Sequence, residues 1–223
     1  MQTTLIIFSV FGLLLLFLIV LGKSASKIDW GIGLTNVIDG LLRLFVKSFH
    51  RFKYEPIQLP EHGAAIVVAN HISGLDPFLL VAACQRPIHF MVAKEEYERF
   101  GQNWLFKISG CVPVDRENKP QQAFRETLKL LDEGKVVALF PHGTIQQTGK
   151  SASRLKRGVA KLAELSGAPV YPAYIDGVGA PGTTLLAMFI RSHATLKSYP
   201  PLNCSADGGA AFMQALDEIL NKK

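Results

Sequence analysis

Residues Leu5 to Gly22 read Leu-Ile-Ile-Phe-Ser-Val-Phe-Gly-Leu-Leu-Leu-Leu-Phe-Leu-Ile-Val-Leu-Gly, with Ser9 the one polar side chain. A helix apolar on every side cannot sit on a protein surface with one face in water. At about 1.5 Å per residue the run makes a helix of roughly 27 Å, just enough to cross a hydrocarbon core. A cleaved signal peptide is the competing reading, and Ser24-Ala25-Ser26 offers small residues for cleavage. Against it, no basic residue precedes the run, which is also longer than the usual signal-peptide core of about 7–15 residues. We therefore expect a retained membrane anchor over residues 1–27. Lys23, Lys27, Arg43, Lys47, Arg51 and Lys53 all follow it, so the positive-inside rule puts the rest of the chain on the cytoplasmic side.

The segment Leu34 to Phe52 has Val37, Ile38, Leu41, Leu42, Phe45 and Phe49 at helical spacing, with Asp39, Arg43, Lys47 and His50 mostly on other faces. It is a helix that packs on the core or lies in the membrane interface; its place after the anchor and its basic end favour the interface. We assign it to residues 28–55, leaving 56–223 as the main domain. The whole chain has 223 residues, 48% of them apolar, enough for one sizeable core. Its net charge of +6 suits an anionic partner, whether a membrane surface, a nucleic acid or an acidic carrier protein. Cys84, Cys111 and Cys204 are odd in number and widely spaced, which matches neither a disulfide framework nor a zinc site and fits a reducing compartment.

From Pro60 onward buried runs alternate with helical segments, the mark of an α/β domain. The strands expected are Ile66–Ala69, Ile88–Ala93, Val112–Val114, Val136–Phe140, Val170–Ile175 and, weakly marked, Ala194–Tyr199. Helices are expected over Phe78–Ala83, Trp104–Ile108, Gln121–Glu133, Arg154–Ser166 and Ala210–Leu220, with Gly134 placed to stop the third of these. The fold class is α/β: a mixed sheet flanked by helices, with an N-terminal transmembrane or membrane-associated helix.

The chemistry concentrates in Asn70-His71-Ile72-Ser73-Gly74-Leu75-Asp76-Pro77, which follows the buried run Ala64–Ala69. Pro77 stands like the first residue of a helix and Asp76 like its N-cap, so His71 and Asp76 sit on a strand-to-helix turn, where open α/β sheets carry their sites. On such a turn the carboxylate can accept a hydrogen bond from the imidazole, fixing the tautomer and leaving the other ring nitrogen as a base. The bland alternative makes Asp76 a helix cap and His71 a turn residue.

Three other features compete. Gly143-Thr144-Ile145-Gln146-Gln147-Thr148-Gly149-Lys150-Ser151 resembles a phosphate-binding loop, but five residues rather than four separate its glycines. His71, Asp76 and His142 could be imagined as a two-histidine, one-carboxylate metal site, though no spacing signature supports one, and a metal-free base ranks above it. Gly110-Cys111-Val112-Pro113-Val114-Asp115-Arg116 ends a strand with a cation. Arg116 there is suited to hold a phosphate bidentately, or else is a surface arginine paired with Asp115 or Glu117.

Taken in order, these strand-end motifs resemble those of the glycerophospholipid acyltransferase family, most closely its 1-acylglycerol-3-phosphate (lysophosphatidic acid) acyltransferases. The family's His-x4-Asp motif is similar to His71 through Asp76. Its glycine, short strand and Asp-Arg are matched by Gly110 through Arg116. Its Phe-Pro-Glu-Gly-Thr is matched by Phe140-Pro141-His142-Gly143-Thr144, and its strand with Val-x-Pro by Val170-Tyr171-Pro172. Lys156-Arg157-Gly158 resembles the basic approach to the following helix. The likeness covers about residues 60–180. Two positions depart from it: His142 replaces a glutamate that the family associates with acceptor binding, and Ile145 an arginine often found there.

The resemblance implies an O-acyltransferase of phospholipid biosynthesis that needs no metal and no cofactor, with acyl-CoA or acyl-carrier protein as donor and a lysophospholipid as acceptor. His71 and Asp76 would be catalytic. Arg116, His142, Gly143 and Thr144 would bind substrate, with Lys94 or Arg157 as weaker phosphate candidates. The expected partners are membrane lipids and the two substrates, with no nucleic acid. A membrane-tethered lipid-binding relative without catalysis, an acyltransferase for another lysolipid, and a metal-dependent hydrolase are the alternatives.

Overall fold

A computed structural model describes residues 2–99, 101, 103–118, 120–147, 149, 153–204 and 209–222. Helix α1 (Gln2–Ala25) carries the apolar run, exposed almost throughout. Its 24 residues span about 36 Å, long and apolar enough to cross a membrane. Helix α2 (Gly33–Ser48) folds back against its end, where Gly22 and Gly40 meet so closely that a side chain on either would strike the opposing backbone.

Strand β1 (Lys53–Tyr54) has only two residues and no sequence signal foretold it. Then follow β2 (Ala65–Ala69), α3 (Asp76–Ala83), β3 (Ile88–Ala93), α4 (Lys94–Tyr97), α5 (Asn103–Ile108), β4 (Val112–Val114), α6 (Pro120–Asp132) and β5 (Val136–Leu139). The chain ends through α7 (Gly158–Ser166), β6 (Val170–Asp176), α8 (Leu186–Phe189), β7 (Thr195–Ser198) and α9 (Ala210–Leu220). The seven strands run in the order β1-β7-β6-β2-β5-β3-β4. From β6 to β4 every pairing is parallel, β7 is antiparallel to β6, and β1 is parallel to β7. The sheet is mixed and flanked by helices, as expected.

Both faces of the parallel strands are buried, which is why they read as unbroken apolar runs rather than alternating ones. Ala65, Val67 and Ala69 of β2, with Val136 and Ala138 of β5 and Tyr171, Ala173 and Ile175 of β6, face Val46 of α2 and Leu79 and Leu80 of α3. Ile66, Val68, Val137, Leu139 and Val170 face Leu131 of α6, Val159 and Leu162 of α7, and Phe212 and Leu216 of α9. Because β2, β4, β5 and β6 are parallel, the three motif-bearing loops after β2, β4 and β5 emerge along one edge of the sheet with the end of β6, while Val170-Tyr171-Pro172 lies within β6 itself.

Two local readings change. Helix α7 begins at Gly158 rather than Arg154, because the Lys156 amide donates to Pro141 O at 2.9 Å and holds residues 154–157 against the loop after β5. In α2, Asp39 and Arg43 are buried instead of facing outward. Arg43 donates from Nε to Asp39 Oδ2 at 2.8 Å and from its terminal nitrogens to the carbonyls of Ala82, Val81 and Cys84 at 2.8, 3.0 and 3.1 Å. These are carbonyls at the C-terminal end of α3, where helical partners run out.

Candidate active site

Strand β2 ends in a buried polar residue. Asn70 donates from Nδ2 to Ile175 O at 2.8 Å and accepts from Ile175 N–H at 2.7 Å, so its amide continues the ladder to β6 for one more rung. The chain then turns, and the first residue past Asn70 is His71.

Its Nδ1 lies 2.9 Å from Asp76 Oδ2. The same carboxylate oxygen accepts from Ile72 N–H at 2.7 Å and Ser73 N–H at 2.8 Å, and Oδ1 accepts from the Ser73 hydroxyl at 2.7 Å. Asp76 is fully buried and every partner it meets is a donor. A carboxylate so surrounded dictates that the proton of His71 sits on Nδ1 and that Nε2 presents its lone pair. The helix-cap reading of Asp76 falls with this geometry: α3 starts at Asp76 itself, and the side chain turns back over residues 71–73.

The turn after β5 holds the ring from its face. Phe140 stacks on His71 with centroids 4.1 Å apart and planes 12° from parallel, and Gln146 N–H donates to His71 O at 2.7 Å. Gly143 adopts φ of 79°, a left-handed conformation, and donates from N–H to Phe140 O at 2.9 Å. The Lys156 side chain occupies the space where a Gly143 side chain would be, and Thr144 is exposed beside it. Arg116, from the loop after β4, donates to Gly143 O at 2.6 Å.

Arg116 therefore reaches across the sheet edge to the turn after β5 rather than pairing with its neighbours. Asp115 is occupied otherwise: it accepts from the Asn118 and Glu117 amides and meets Lys94 at 3.4 Å. The Asn118 amide leads in holding the Asp115 carboxyl down to about 2. Arg157 is exposed at the start of α7.

His142 lies beneath this surface. It is 3% exposed, and Nε2 lies 2.9 Å from Oδ1 of Asn221, just past α9; that oxygen also accepts from Gln146 Nε2 at 3.5 Å. An amide oxygen accepts, so His142 donates from Nε2, while Nδ1 is buried without a partner. Burial pushes its pKa below the usual histidine value, outweighing the Asn221 hydrogen bond and the Asp217 carboxylate, which act the other way. The structure thus brings His71, Asp76, Gly143, Thr144 and Arg116 to one edge and places His142 as a buried support for them.

Among the described residues no three His, Cys, Asp or Glu side chains are grouped to hold a metal; His71 Nδ1 and His142 Nε2 are spent on Asp76 and Asn221. Of the phosphate-loop look-alike, Thr148, Lys150 and Ser151 lie outside the described residues. Burial pushes the Cys84 and Cys111 thiols up to about 12 and about 11, which removes both as nucleophiles at neutral pH. Asn70 and Phe140 are site residues that sequence reasoning passed over. The signal for Asn70 was an amide at the end of an otherwise apolar strand; the stacking of Phe140 on His71 had none.

Comparison with known proteins points one way. A model of the acyltransferase family matches residues 51–176. The chain is 32% identical over 125 residues to the 1-acyl-sn-glycerol-3-phosphate acyltransferase of Bacillus subtilis (strain 168), covering 56% of this chain and 61% of that protein. It is 32% identical over 146 residues to the probable 1-acyl-sn-glycerol-3-phosphate acyltransferase of Mycoplasma pneumoniae, covering 61% of this chain and 53% of that one. The chain thus spans between half and two thirds of the length of these relatives. Among solved structures, the 1-acyl-sn-glycerophosphate acyltransferase PlsC of Thermotoga maritima superposes with a TM-score of 0.67 over 95% of this chain and 86% of that one, at 22% identity.

Proposed function

The chain belongs to the acyltransferase family, and from that premise we propose that it transfers a fatty acyl group from a thioester to a hydroxyl of a lysophospholipid, 1-acylglycerol-3-phosphate first among them, in phospholipid biosynthesis. The observation that carries the reading is the His71–Asp76 pair at 2.9 Å, with Nε2 left as acceptor on a ring packed against Phe140 of the turn that Arg116 binds at Gly143.

In this mechanism His71 Nε2 takes the proton of the acceptor hydroxyl as its oxygen attacks the thioester carbonyl. Buried Asp76 stabilises the imidazolium that forms. The tetrahedral oxyanion collapses, the carbon–sulfur bond breaks, and the imidazolium returns the proton to the departing thiolate. No covalent enzyme intermediate is needed. The Gly143 amide is committed to Phe140 O, which leaves the Thr144 amide as the oxyanion donor of this turn. Arg116, exposed and with donors to spare, binds the acceptor phosphate; Lys94 at the start of α4 and Arg157 at the start of α7 are further cations. His142 acts by holding the Gly143 turn through Asn221.

The donor is acyl-CoA or acyl-carrier protein, both anionic. The acceptor and product reside in the bilayer, so α1 as a single anchor, with the sheet domain on the cytoplasmic side, suits both. The test is a panel of lysolipid acceptors with labelled acyl-CoA and acyl-carrier protein, using the purified full chain in mixed micelles. Acylation of 1-acylglycerol-3-phosphate ahead of other lysolipids is expected. Folded protein that binds lysolipid and transfers nothing from either donor would instead mark a tethered lipid-binding relative.

A further inference from the structure

The loop after β6 carries apolar side chains that the core does not use. Leu185, Leu186, Phe189 and Ile190 are 52%, 53%, 75% and 43% exposed, while Ala187 between them is fully buried and Met188 packs on the core. The single turn of α8 therefore has its back in the protein and four large apolar groups in solvent. A contiguous exposed patch of this kind marks an interaction surface.

Position, side and charge together identify what covers it. The loop is tied to the His71 turn by Gly74 N–H to Thr183 O at 3.0 Å and Gly182 N–H to Ile72 O at 2.7 Å, and Gly74 has no room for a side chain against Thr184. Ala187 and Met188 join the core layer of Val46 in α2, the helix on which α1 is mounted, so the patch lies on the same face of the sheet as the apolar hairpin. The chain leaving the patch is basic: Arg191 is exposed, and two residues on, His193 pairs with exposed Arg51 at 2.8 Å. From Gly177 to Cys204 the sequence has no carboxylate at all. Apolar side chains bordered by cations match the interface of an anionic bilayer, where the former enter the acyl boundary and the latter meet phosphates.

We propose that Leu185–Ile190 is a second membrane contact, which inserts Leu185, Leu186, Phe189 and Ile190 into an anionic bilayer surface and holds the His71 turn against it. The proposal stands on the patch and its charges and does not require acyl transfer, so its test reads depth in the membrane rather than turnover.

Full-length protein carrying Phe189→Trp is reconstituted in vesicles of phosphatidylcholine and phosphatidylglycerol, and the emission of the unsubstituted chain is subtracted to remove Trp30 and Trp104. Lipids brominated on their acyl chains are expected to quench the added indole, and aqueous acrylamide to lose access to it several-fold relative to detergent. Adding Leu186→Asp to the same chain is expected to lower the bromolipid quenching several-fold at unchanged Tm, and omitting phosphatidylglycerol to weaken it. Ile190→Trp serves as a second reporter should Phe189→Trp fail to fold. An indole as open to acrylamide in vesicles as in detergent, and untouched by bromolipid, overturns the proposal. Protection that follows protein concentration rather than lipid also overturns it, in favour of a second copy on the patch.

Discussion

His71 is held on three sides: its Nδ1 by Asp76, its ring face by Phe140 and its carbonyl by the Gln146 amide. Only the Nε2 edge is left for chemistry, so His71→Ala removes a base without removing a support of the core. We expect kcat to fall about 10²–10⁴-fold, the usual worth of a general base, at an unchanged circular dichroism spectrum. Near-normal turnover by folded His71→Ala protein would end the mechanism. Asp76→Asn should behave differently. Placed at Oδ2, its amide nitrogen faces the Ile72 and Ser73 N–H donors and turns His71 Nδ1 into an acceptor; placed at Oδ1, it must donate to a Ser73 Oγ that already accepts from Leu75 N–H, so both activity and Tm should drop. A variant as stable as the parent would mean that the turn tolerates an inverted donor. Arg116 separates the substrates. Arg116→Ala should raise KM for a phosphate-bearing acceptor more than for the acyl donor, and Arg116→Lys should restore part of it, since the ammonium keeps charge but loses the planar fork. Equal acceptor KM values in all three proteins would return Arg116 to a surface role. The His71–Asp76 contact was legible because both partners lie within one turn. The bonds of Asn70 to Ile175 span 105 residues and no local pattern contains them.

Among elements, α3 is fixed at both ends by polar side chains. Asp76 at its start is the anchor of His71, and Arg43 of α2 takes three carbonyls at its end. Helical periodicity sorted Asp39 and Arg43 outward because charged residues are rarely buried; what overrides this is a second helix whose unpaired carbonyls arrive from 38 to 41 residues away. The parallel strands, in contrast, were legible almost to the residue, since burial on both faces leaves unbroken apolar runs between turn residues. The two-residue β1 carries no such run, and α7 started late because the Pro141 carbonyl captures the Lys156 amide. Arg43→Ala strands buried Asp39 and three carbonyls together, so we expect a loss of about 3–5 kcal/mol, as for a broken buried ion pair. The Asp39→Ala, Arg43→Ala double variant should lose clearly less than the two single losses added, because the second deletion removes the charge that the first left unpaired. Urea unfolding of the solubilised chain measures both. A cost under about 1 kcal/mol for Arg43→Ala would make the network idle, no more than an exposed pair is worth.

For the whole molecule, the site exists because parallel pairing delivers the ends of β2, β4, β5 and β6 to one edge; the order of the motifs along the chain was readable, and their convergence needed the strand order. The departure at His142 shows the limit. Its chemistry was plain in the sequence, but its burial against Asn221 depends on α9 returning over the sheet, 79 residues later. His50 and His89 share its fate: burial, the leading cause in all three, lowers their pKa values from the ordinary 6.5. In the unfolded chain each takes up a proton as pH falls through about 6.5, while in the folded chain each stays neutral to a lower pH. Between those values the unfolded state binds more protons, so stability rises with pH there. The contribution is whole above about 6.5 and is lost progressively as pH falls below it toward the lower folded values. The solubilised protein should therefore show a Tm that is flat above neutrality and declines on acidification well before the carboxylates begin to protonate. His142→Gln keeps a donor for Asn221 but cannot titrate, so its Tm should decline less steeply over the same interval. Superimposable Tm profiles for His142→Gln and the parent would show that His142 adds nothing to the acid sensitivity of the fold.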